Sequence, residues 1–501
     1  MIKIFDFLWL PQLSIQSFLF ASFLGLITIT LYRNFIVPYR KLSKLGINVS
    51  PPMPLLGNML DYGSTNRHIA QVKRQELYGN VCGTLFFHIP NLWVGDPEML
   101  KIITVKEFSN FANRFSLTKP RPPFDKTVVQ LKDQDWKRVR TILIPTFSTS
   151  KLKGIMPLIT DAGDNLIKTM SKAEEEGRAI DMWRTCGVYT MKVILATVFG
   201  IDFESKEQEK KLTESAARLF RNTNGVIQFF SIFLTPLFRM VEPLLGGNLV
   251  KSTIYLAKTA ENVLRERRRN LKNGIPCRRD ILQQMIEAGD GDKLTDEEII
   301  AQAFIFLIAG YDTTANTLGF ASYSLATNPD VQKKLRDEID SLCPDANSID
   351  YDTLFSLPYL DMVISETLRM YPPAYFVNRE AKEDITINGL LVPKDIMVSF
   401  PIYGIHHNPE LWPKPNEFIP ERFSPEEKAK QIPCSYLPFG GGPRNCVGMR
   451  LALLEAKLAL VKIIQNFELK TVAETEIPLK LRSGTTLSPF NGAYVGLTRR
   501  Y

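Results

Sequence analysis

The sequence predicts one mainly α-helical domain with small β-sheets, joined to an N-terminal membrane-spanning helix. A capping box at residues 295–298 begins an apolar stretch that continues to residue 327, which indicates a long buried helix. A second apolar run, residues 449–464, is rich in Leu and Ala and follows a loop with three consecutive glycines. The strand signals are short, and the clearest is Asn388-Gly389 between two apolar runs, which is typical of a hairpin.

The composition is that of a globular protein. The chain has 501 residues, of which 45% are hydrophobic and 23% charged, and no linker, charge block or internal repeat divides it. The net charge of +8 is spread along the chain. That distribution argues against nucleic-acid binding and fits a protein that works against an anionic membrane or an acidic partner. The six cysteines contain no CxxC pair and the four histidines have no zinc spacing, so no metal cluster of that kind is expected.

The N-terminal segment predicts a membrane anchor. Residues 7–32 carry no charge and can span a bilayer with some tilt. Basic residues at 33, 40, 41 and 44 follow, which places the body on the cytoplasmic side. The alternative is a cleaved signal peptide, but the run is long and lacks a clear small-residue cleavage site. We expect an anchor at residues 1–33, a basic and proline-rich hinge at residues 34–58 and the main domain at residues 59–501.

The first part of the body contains one informative short helix. Residues 133–141 are amphipathic, and Trp136 and Arg140 lie four residues apart on one face. The alternative is a surface helix with one buried Trp. Residues 155–280 are predicted to be helical. The Phe-rich stretch at residues 220–245 fits either plain core or an apolar patch for membrane contact or substrate access.

The long helix that follows contains the next candidate site. Asp312 is its one charged residue between Glu298 and Asp330, so most of its faces must be buried. Gly310 costs about 1 kcal/mol relative to Ala within a helix. Thr313 can hydrogen-bond to the carbonyl of the residue four before it and bend the helix. Asp312 and Thr313 together offer an acid and an alcohol for proton transfer. The alternative for Asp312 is a buried acid paired with an Arg for stability.

The Cys loop, residues 439–448, carries the strongest chemical signal. Its glycines allow close backbone approach to Cys446, which precedes the N-terminus of a helix where a thiolate is favoured. Arg444, two residues earlier, can bind an anion. The combination suits a haem iron bound by the Cys sulfur, with the Arg on a propionate. The alternative is an ordinary buried Cys beside a turn.

The spacing Phe-x-x-Gly-x-Arg-x-Cys-x-Gly resembles the haem-binding loop of the cytochrome P450 family at all five positions: Phe439, Gly442, Arg444, Cys446 and Gly448. The resemblance extends over essentially the whole chain, in the family's order. It implies a P450 fold with haem b held between the long helix and the Cys loop, and Cys446 as the axial ligand of the iron. The closest subgroup is the animal microsomal one that oxidises drugs and xenobiotics.

The resemblance also assigns roles to residues outside the Cys loop. It implies propionate contacts for Arg114, Trp136, Arg140 and Arg379, and an oxygen-binding motif with proton transfer by Asp312 and Thr313. It implies a buried ion network behind the Cys loop, formed by Glu366, Arg369 and Arg422. It further implies an apolar substrate pocket with Phe124, Phe304, Ala309, Ala374 and Leu487, the last at the turn of the final hairpin.

The reaction implied is insertion of one oxygen atom from O2 into a lipophilic substrate, such as a xenobiotic, steroid or fatty acid. Electrons should come from NADPH through a membrane-bound flavoprotein reductase, because the chain lacks a nucleotide-binding GxGxxG unit after a strand. Cytochrome b5 is implied as a second donor, and Lys132, Lys137 and Arg138 are expected to help dock the acidic partner. The location implied is the endoplasmic reticulum membrane.

Two other functions remain open at this point. A haem-thiolate isomerase or dehydratase rearranges a peroxide without a reductase, and it would not need Asp312 and Thr313. A membrane-anchored haem carrier or sensor would bind haem without turnover.

Overall fold

The structure is a computed structural model that describes residues 15–53, 56–58, 66–116, 120–200, 205–221, 247–277, 280–288, 293–344 and 349–500. Of the Phe-rich stretch at residues 220–245, only the backbone of residues 220 and 221 lies within the described residues. The described part is mostly helical with small sheets, as the sequence predicts.

The α-helices are α1 Ile15–Leu31, α2 Val37–Ser43, α3 Arg67–Tyr78, α4 Pro97–Lys101, α5 Asp133–Leu143, α6 Thr149–Glu175, α7 Met182–Ile194, α8 Lys206–Arg221, α9 Gly247–Lys272, α10 Ile281–Glu287, α11 Asp296–Thr327, α12 Pro329–Leu342, α13 Tyr351–Phe355, α14 Pro358–Met370, α15 Ile402–His406, α16 Pro425–Lys430 and α17 Met449–Asn466. Shorter 3-10 turns are Phe124–Lys126, Ile144–Phe147, Pro420–Phe423 and Gly442–Arg444, and π-helical turns are Tyr32–Ile36, Ile102–Lys106 and Leu195–Phe199.

The strands are β1 Asn48–Val49, β2 Val81–Phe86, β3 Ile89–Val94, β4 Ile180–Asp181, β5 Val377–Glu380, β6 Ile385–Ile387, β7 Leu390–Val392, β8 Met397–Phe400, β9 Phe467–Lys470, β10 Leu481–Ser483, β11 Leu487–Pro489 and β12 Tyr494–Arg499. The largest described sheet has the order β1-β2-β3-β8-β5, and the others are β4-β12-β9, β10-β11 and β6-β7. Asn388 and Gly389 form the turn between β6 and β7, both with positive φ, as the sequence predicts.

Helix α11 runs through the centre of the domain. Its capping box is formed, because the Glu298 N–H donates to Thr295 Oγ1 at 3.2 Å and the Thr295 N–H donates to Glu298 Oε2 at 2.8 Å. Nearly every side chain that follows is buried, mainly against α7, with further contacts to α9 and α17. Gly310 allows the close approach of α7, since a Cβ at this position would overlap the side chain of Ile194. This contact explains the mid-helix glycine.

The N-terminal helix continues into the body. Helix α1, the π-helical turn and α2 follow one another without a gap, and residues 17–43 have the length and composition of a membrane span. Side chains at residues 18–20 are largely exposed, whereas Phe35 and Leu42 are buried. Strand β1 then pairs in parallel with β2. The range assigned to the hinge, residues 34–58, therefore contains a helix and a sheet strand.

Candidate active site

The Cys loop is closed by its own backbone. The Cys446 N–H donates to the Phe439 carbonyl at 2.9 Å, and the Gly440 N–H donates to the Leu437 carbonyl at 3.0 Å. Gly442 has φ +68°, and a Cβ there would overlap the carbonyl oxygen of Thr104. Gly442 does not line the cavity, so it shapes the loop by packing.

Cys446 faces an internal cavity of about 440 Å³ that lies between the Cys loop and α11. Its sulfur is accessible from this cavity although it lies deep in the protein. Burial raises the pKa of the Cys446 thiol, while the Gly448 N–H and the charges of Arg140 and Arg114 lower it. Phe439 and Gly448 also line the cavity, with Gly448 immediately before α17.

Arg444 holds two segments of the chain at the edge of the cavity. It is 2% exposed, and its guanidinium donates to the backbone carbonyls of Ala112 at 2.8 Å and Leu131 at 2.7 Å. It also lies 4.7 Å from the ring centroid of Trp136. Burial, together with the neighbouring Arg114 and Arg140, lowers the pKa of Arg444 to about 9.

Three further arginines line the same cavity. Arg140 donates to Oδ1 of Asn445 in the Cys loop at 2.6 Å, and Arg379 donates to the Asn378 carbonyl at 2.8 Å. Burial is the largest cause that lowers the pKa of Arg114, Arg140 and Arg379. The sequence placed all three beside the haem, and the fold brings them together.

This cationic cluster lacks a balancing anion among the described residues that line the cavity. Their one carboxyl group is Glu455, and burial raises its pKa well above the ordinary value, which favours the neutral form. Within the described residues no hydrogen-bond acceptor reaches Nε of Arg114, Arg379 or Arg444, or the indole nitrogen of Trp136. Buried cations and donors of this kind need an anionic partner. The two propionates of a haem fit this cluster as its anionic partners. The Cys446 sulfur in the same cavity fits as a ligand of the haem iron.

Helix α11 supplies the opposite wall of the cavity. Ala309, Gly310 and Thr313 line it, and the Thr313 hydroxyl donates to the Ala309 carbonyl at 2.7 Å. Asp312 does not line the cavity. Its side chain is 5% exposed and accepts hydrogen bonds from Asn316 and Thr486. The sequence placed Asp312 and Thr313 at one site, but their side chains face different surroundings.

The predicted substrate residues separate into three groups. Ala309 and Ala374 line the cavity. Phe124 and Phe304 do not line it, and their rings pack edge to face with centroids 4.9 Å apart. Leu487 was expected at the hairpin turn, but it is the first residue of β11 and is fully buried. Thr485 lines the cavity instead, because the turn occupies residues 484–486.

Glu366, Arg369 and Arg422 form a buried network. Arg369 makes a bidentate pair with Glu366, at 2.7 and 2.8 Å, and both side chains are fully buried. Arg422 reaches Glu366 at 3.3 Å. Arg369 also donates to the His406 carbonyl at 2.8 Å.

His406 connects this network to the segment immediately before the Cys loop, and sequence reasoning missed it. Its Nε2 accepts from the Leu437 N–H at 2.9 Å, so Nδ1 carries the proton and donates to the Arg369 carbonyl at 3.2 Å. Burial lowers the pKa of His406 well below its ordinary value, which keeps the ring neutral. No sequence pattern marked His406 as a structural residue, because the adjacent pair His406-His407 matches no known motif.

The basic residues expected to dock a partner differ in their contacts. Lys132 pairs with Glu380, and Arg138 pairs with Glu298. Lys137 is exposed on the same helix, α5.

Comparison with known proteins identifies relatives along nearly the whole chain. The family model described as Cytochrome P450 matches residues 48–495. Lithocholate 6-beta-hydroxylase of Mesocricetus auratus is 39% identical over 492 residues, covering 96% of each chain. Cytochrome P450 3A31 of the same species is 40% identical over 478 residues, covering 93% of this chain and 94% of its own. Cytochrome P450 3A12 of Canis lupus familiaris is 39% identical over 493 residues and 96% of each chain.

Proposed function

The chain belongs to the cytochrome P450 family, and from this membership we propose which residues carry out its reaction and which substrates it takes. It is a haem-thiolate monooxygenase of xenobiotics or steroids, with haem b as cofactor and electrons from NADPH through a reductase. The balanced reaction converts substrate, O2, NADPH and a proton into hydroxylated substrate, water and NADP⁺.

The residues that would hold the haem are those of the cationic cluster and the Cys loop. Cys446 supplies the thiolate ligand, and Arg114, Arg140, Arg379 and Arg444, with the indole of Trp136, bind the propionates. When bound, the haem supplies the redox and oxygen-activating chemistry. The support for this assignment is that four arginines, of which Arg379 and Arg444 are fully buried, and the Cys446 sulfur border one cavity that contains no ionised carboxylate among its described lining residues.

The chain's own groups then position substrate and move protons. Thr313 carries its hydroxyl at the cavity wall, where it can pass a proton, and Asp312 is the buried acid next to it in sequence. Apolar side chains from α11 and the segment before β5 exclude water from the substrate: Ile305, Phe306, Ala309, Ala374 and Phe376.

The substrate proposed is a steroid-sized, largely apolar molecule. One relative carries a bile-acid hydroxylase name, lithocholate 6-beta-hydroxylase. In the present chain the apolar wall is interrupted by the hydroxyls of Thr313 and Thr485, which can orient a steroid hydroxyl or ketone.

The membrane location and the partners extend the proposal. The N-terminal helix and the relatives suggest an endoplasmic reticulum anchor. We place the catalytic domain on the cytoplasmic side, because the basic residues follow the apolar run. The surface of α5 around Lys137 is proposed as the docking face for the acidic reductase, with cytochrome b5 as a second donor.

Reconstitution tests the reaction. The full chain is combined with reductase and NADPH under ¹⁸O₂ and given testosterone or lithocholate. We expect one ¹⁸O atom in each product molecule and no product without NADPH. Product formed from an organic peroxide alone, with none from NADPH and reductase, would support the isomerase class instead. Reduction of the haem without oxidation of any compound in a wide panel would support a carrier.

A further inference from the structure

Asp312 is held by a residue that lies far from it in the chain. The hydroxyl of Thr486, in the loop between β10 and β11, donates to Oδ2 of Asp312. Asn316, one turn further along α11, donates to the same oxygen at 3.0 Å and approaches Thr486 Oγ1 at 3.4 Å. All three side chains are more than nine-tenths buried. We call this cluster of Asp312, Asn316 and Thr486 the carboxylate latch.

In the carboxylate latch the side chain of Asp312 is turned away from the cavity. Gly310, Thr313 and Thr314 line the cavity, whereas Asp312 between them is turned towards the hairpin loop. Hydrogen bonds to a carboxylate are about twice as strong as those between neutral groups. Asp312 therefore leaves this position only when other contacts replace those it loses.

The loop that carries Thr486 is also part of the cavity wall. Thr485 lines the cavity and its side chain is exposed there. The loop is fixed on both sides of this residue, because the Tyr375 hydroxyl donates to the Gly484 carbonyl at 2.8 Å and the Leu487 N–H donates to the Pro373 carbonyl at 2.9 Å. A ligand that contacts Thr485 therefore presses directly beside Thr486, whose hydroxyl binds Asp312.

We propose that Thr486 and Asn316 are positioning residues that hold Asp312 away from the cavity until a substrate large enough to press on Thr485 displaces the hairpin loop. The inference rests on the proposed role of Asp312 in proton transfer. It links substrate size to proton delivery. A bulky substrate releases Asp312 from Thr486. A small substrate leaves Asp312 bound to Thr486, so that NADPH is consumed without forming product.

Infrared difference spectroscopy tests the latch without turnover. The carboxylate band of Asp312 is identified as the one that Asp312→Asn removes from the spectrum of the ferric enzyme. Loss of the Thr486 donor changes the stretching frequency of the carboxylate, so we expect the band to move in Thr486→Val without any ligand. Thr486→Ser, which keeps the hydroxyl, restores the wild-type band. Ser322→Ala, which removes another buried hydroxyl of α11, serves as control.

Ligand size provides the second measurement. In the wild-type enzyme, testosterone at saturation should move the Asp312 band and toluene should leave it in place. With reductase and NADPH, we expect product per NADPH to be at least three-fold higher for testosterone than for toluene in the wild type, and this ratio to fall below two-fold in Thr486→Val. If Thr486→Val does not fold, Asn316→Ala removes a second donor to Asp312 and is expected to change the band in the same way.

The outcomes separate the latch from the proposed function. Unchanged coupling of NADPH to product in Asp312→Asn would overturn the role of Asp312 and the latch with it. Reduced coupling in Asp312→Asn, with an unmoved band and an unchanged substrate ratio in Thr486→Val, would overturn the latch alone.

Discussion

At the scale of single residues, the thiol of Cys446 experiences two opposing effects. Burial raises its pKa, and the Gly448 N–H with Arg140 and Arg114 lowers it. A thiol in this balance becomes a stable thiolate when a metal ion binds the sulfur and displaces the proton. The loop therefore favours iron ligation over free nucleophilic chemistry.

Replacement of the sulfur tests the ligand assignment. In Cys446→Ser the arginine cluster is intact, so we expect haem to be bound but the red-shifted absorption band of the CO complex to disappear, together with monooxygenation. Reduced CO spectra and haem content measure both effects. Cys277→Ser, at a partly exposed cysteine, is the control. An unchanged band in Cys446→Ser would mean that another side chain binds the iron.

The Thr313 hydroxyl is tested by its removal. Thr313→Ala loses the group that faces the cavity from α11, so we expect NADPH consumption to continue while product per NADPH falls about ten-fold or more. Hydrogen peroxide should rise in compensation. Thr313→Ser keeps the hydroxyl and should retain most of the coupling. Tight coupling in the alanine variant would exclude Thr313 from proton transfer.

At the scale of elements, the Cys loop depends on two glycines for different reasons. Gly440 and Gly442 both have positive φ, which costs about 1–3 kcal/mol for a side-chain residue. A Cβ on Gly440 meets nothing closer than 3.9 Å, whereas one on Gly442 overlaps the Thr104 carbonyl.

These glycines predict a graded loss of stability. Gly442→Ala should lower the free energy of unfolding by more than Gly440→Ala, which carries the backbone strain alone at about 1–3 kcal/mol. Urea titration of both variants, with haem content recorded, measures the difference. Equal losses would show that the loop moves away from Thr104 without penalty.

Much of the element-level structure could be predicted from local signals. The capping box at Thr295 places the start of α11, and Asn388-Gly389 places a hairpin turn. The order of motifs in the sequence indicated that Cys446 and Arg140 would share a site, and both line the cavity.

The remaining features depend on contacts between distant segments, which a single sequence does not contain. Gly310 is explained by Ile194, and Asp312 is held by Thr486, 174 residues away. The hairpin turn was expected near Leu487 and occupies residues 484–486, so Thr485 rather than Leu487 borders the cavity. His406 was missed since its partners, Arg369 and Leu437, come from separate elements.

At the scale of the whole molecule, three buried histidines limit acid stability. Burial lowers the pKa of His68 to about 4 and of His407 to about 3, and it lowers that of His406 well below its ordinary value. In the unfolded chain each titrates near 6.5. Below that pH the unfolded state binds more protons than the folded one, so stability present above pH 6.5 is lost as pH falls.

The expected loss is about 1 kcal/mol for each of these histidines between pH 6.5 and 5.5, or about 3 kcal/mol from the three together, and Glu455, whose pKa is raised in the folded protein, contributes in the opposite direction. Urea midpoints at both pH values measure it. His407→Phe keeps the stacking on Tyr403, at 3.8 Å between ring centroids, and should reduce the loss of stability between these pH values by about 1 kcal/mol. Equal pH dependence in this variant and the wild type would show that His407 has the same pKa in the folded and unfolded states.

The junction between the anchor and the body has a practical consequence for shortening the chain. Leu42 is 1% exposed and packs over β2, where its Cβ lies 3.5 Å from the position of a Cβ on Gly83. Only residues 44–47 separate α2 from β1. A shortened protein that begins after residue 43 lacks Leu42, so the apolar surface of β2 that this side chain covers becomes exposed, and we expect the protein to aggregate. One that begins near residue 33 keeps Phe35 and Leu42 in place. The same short connection makes α2 part of the folded body, so only the apolar helix before residue 33 can be removed without loss of core contacts.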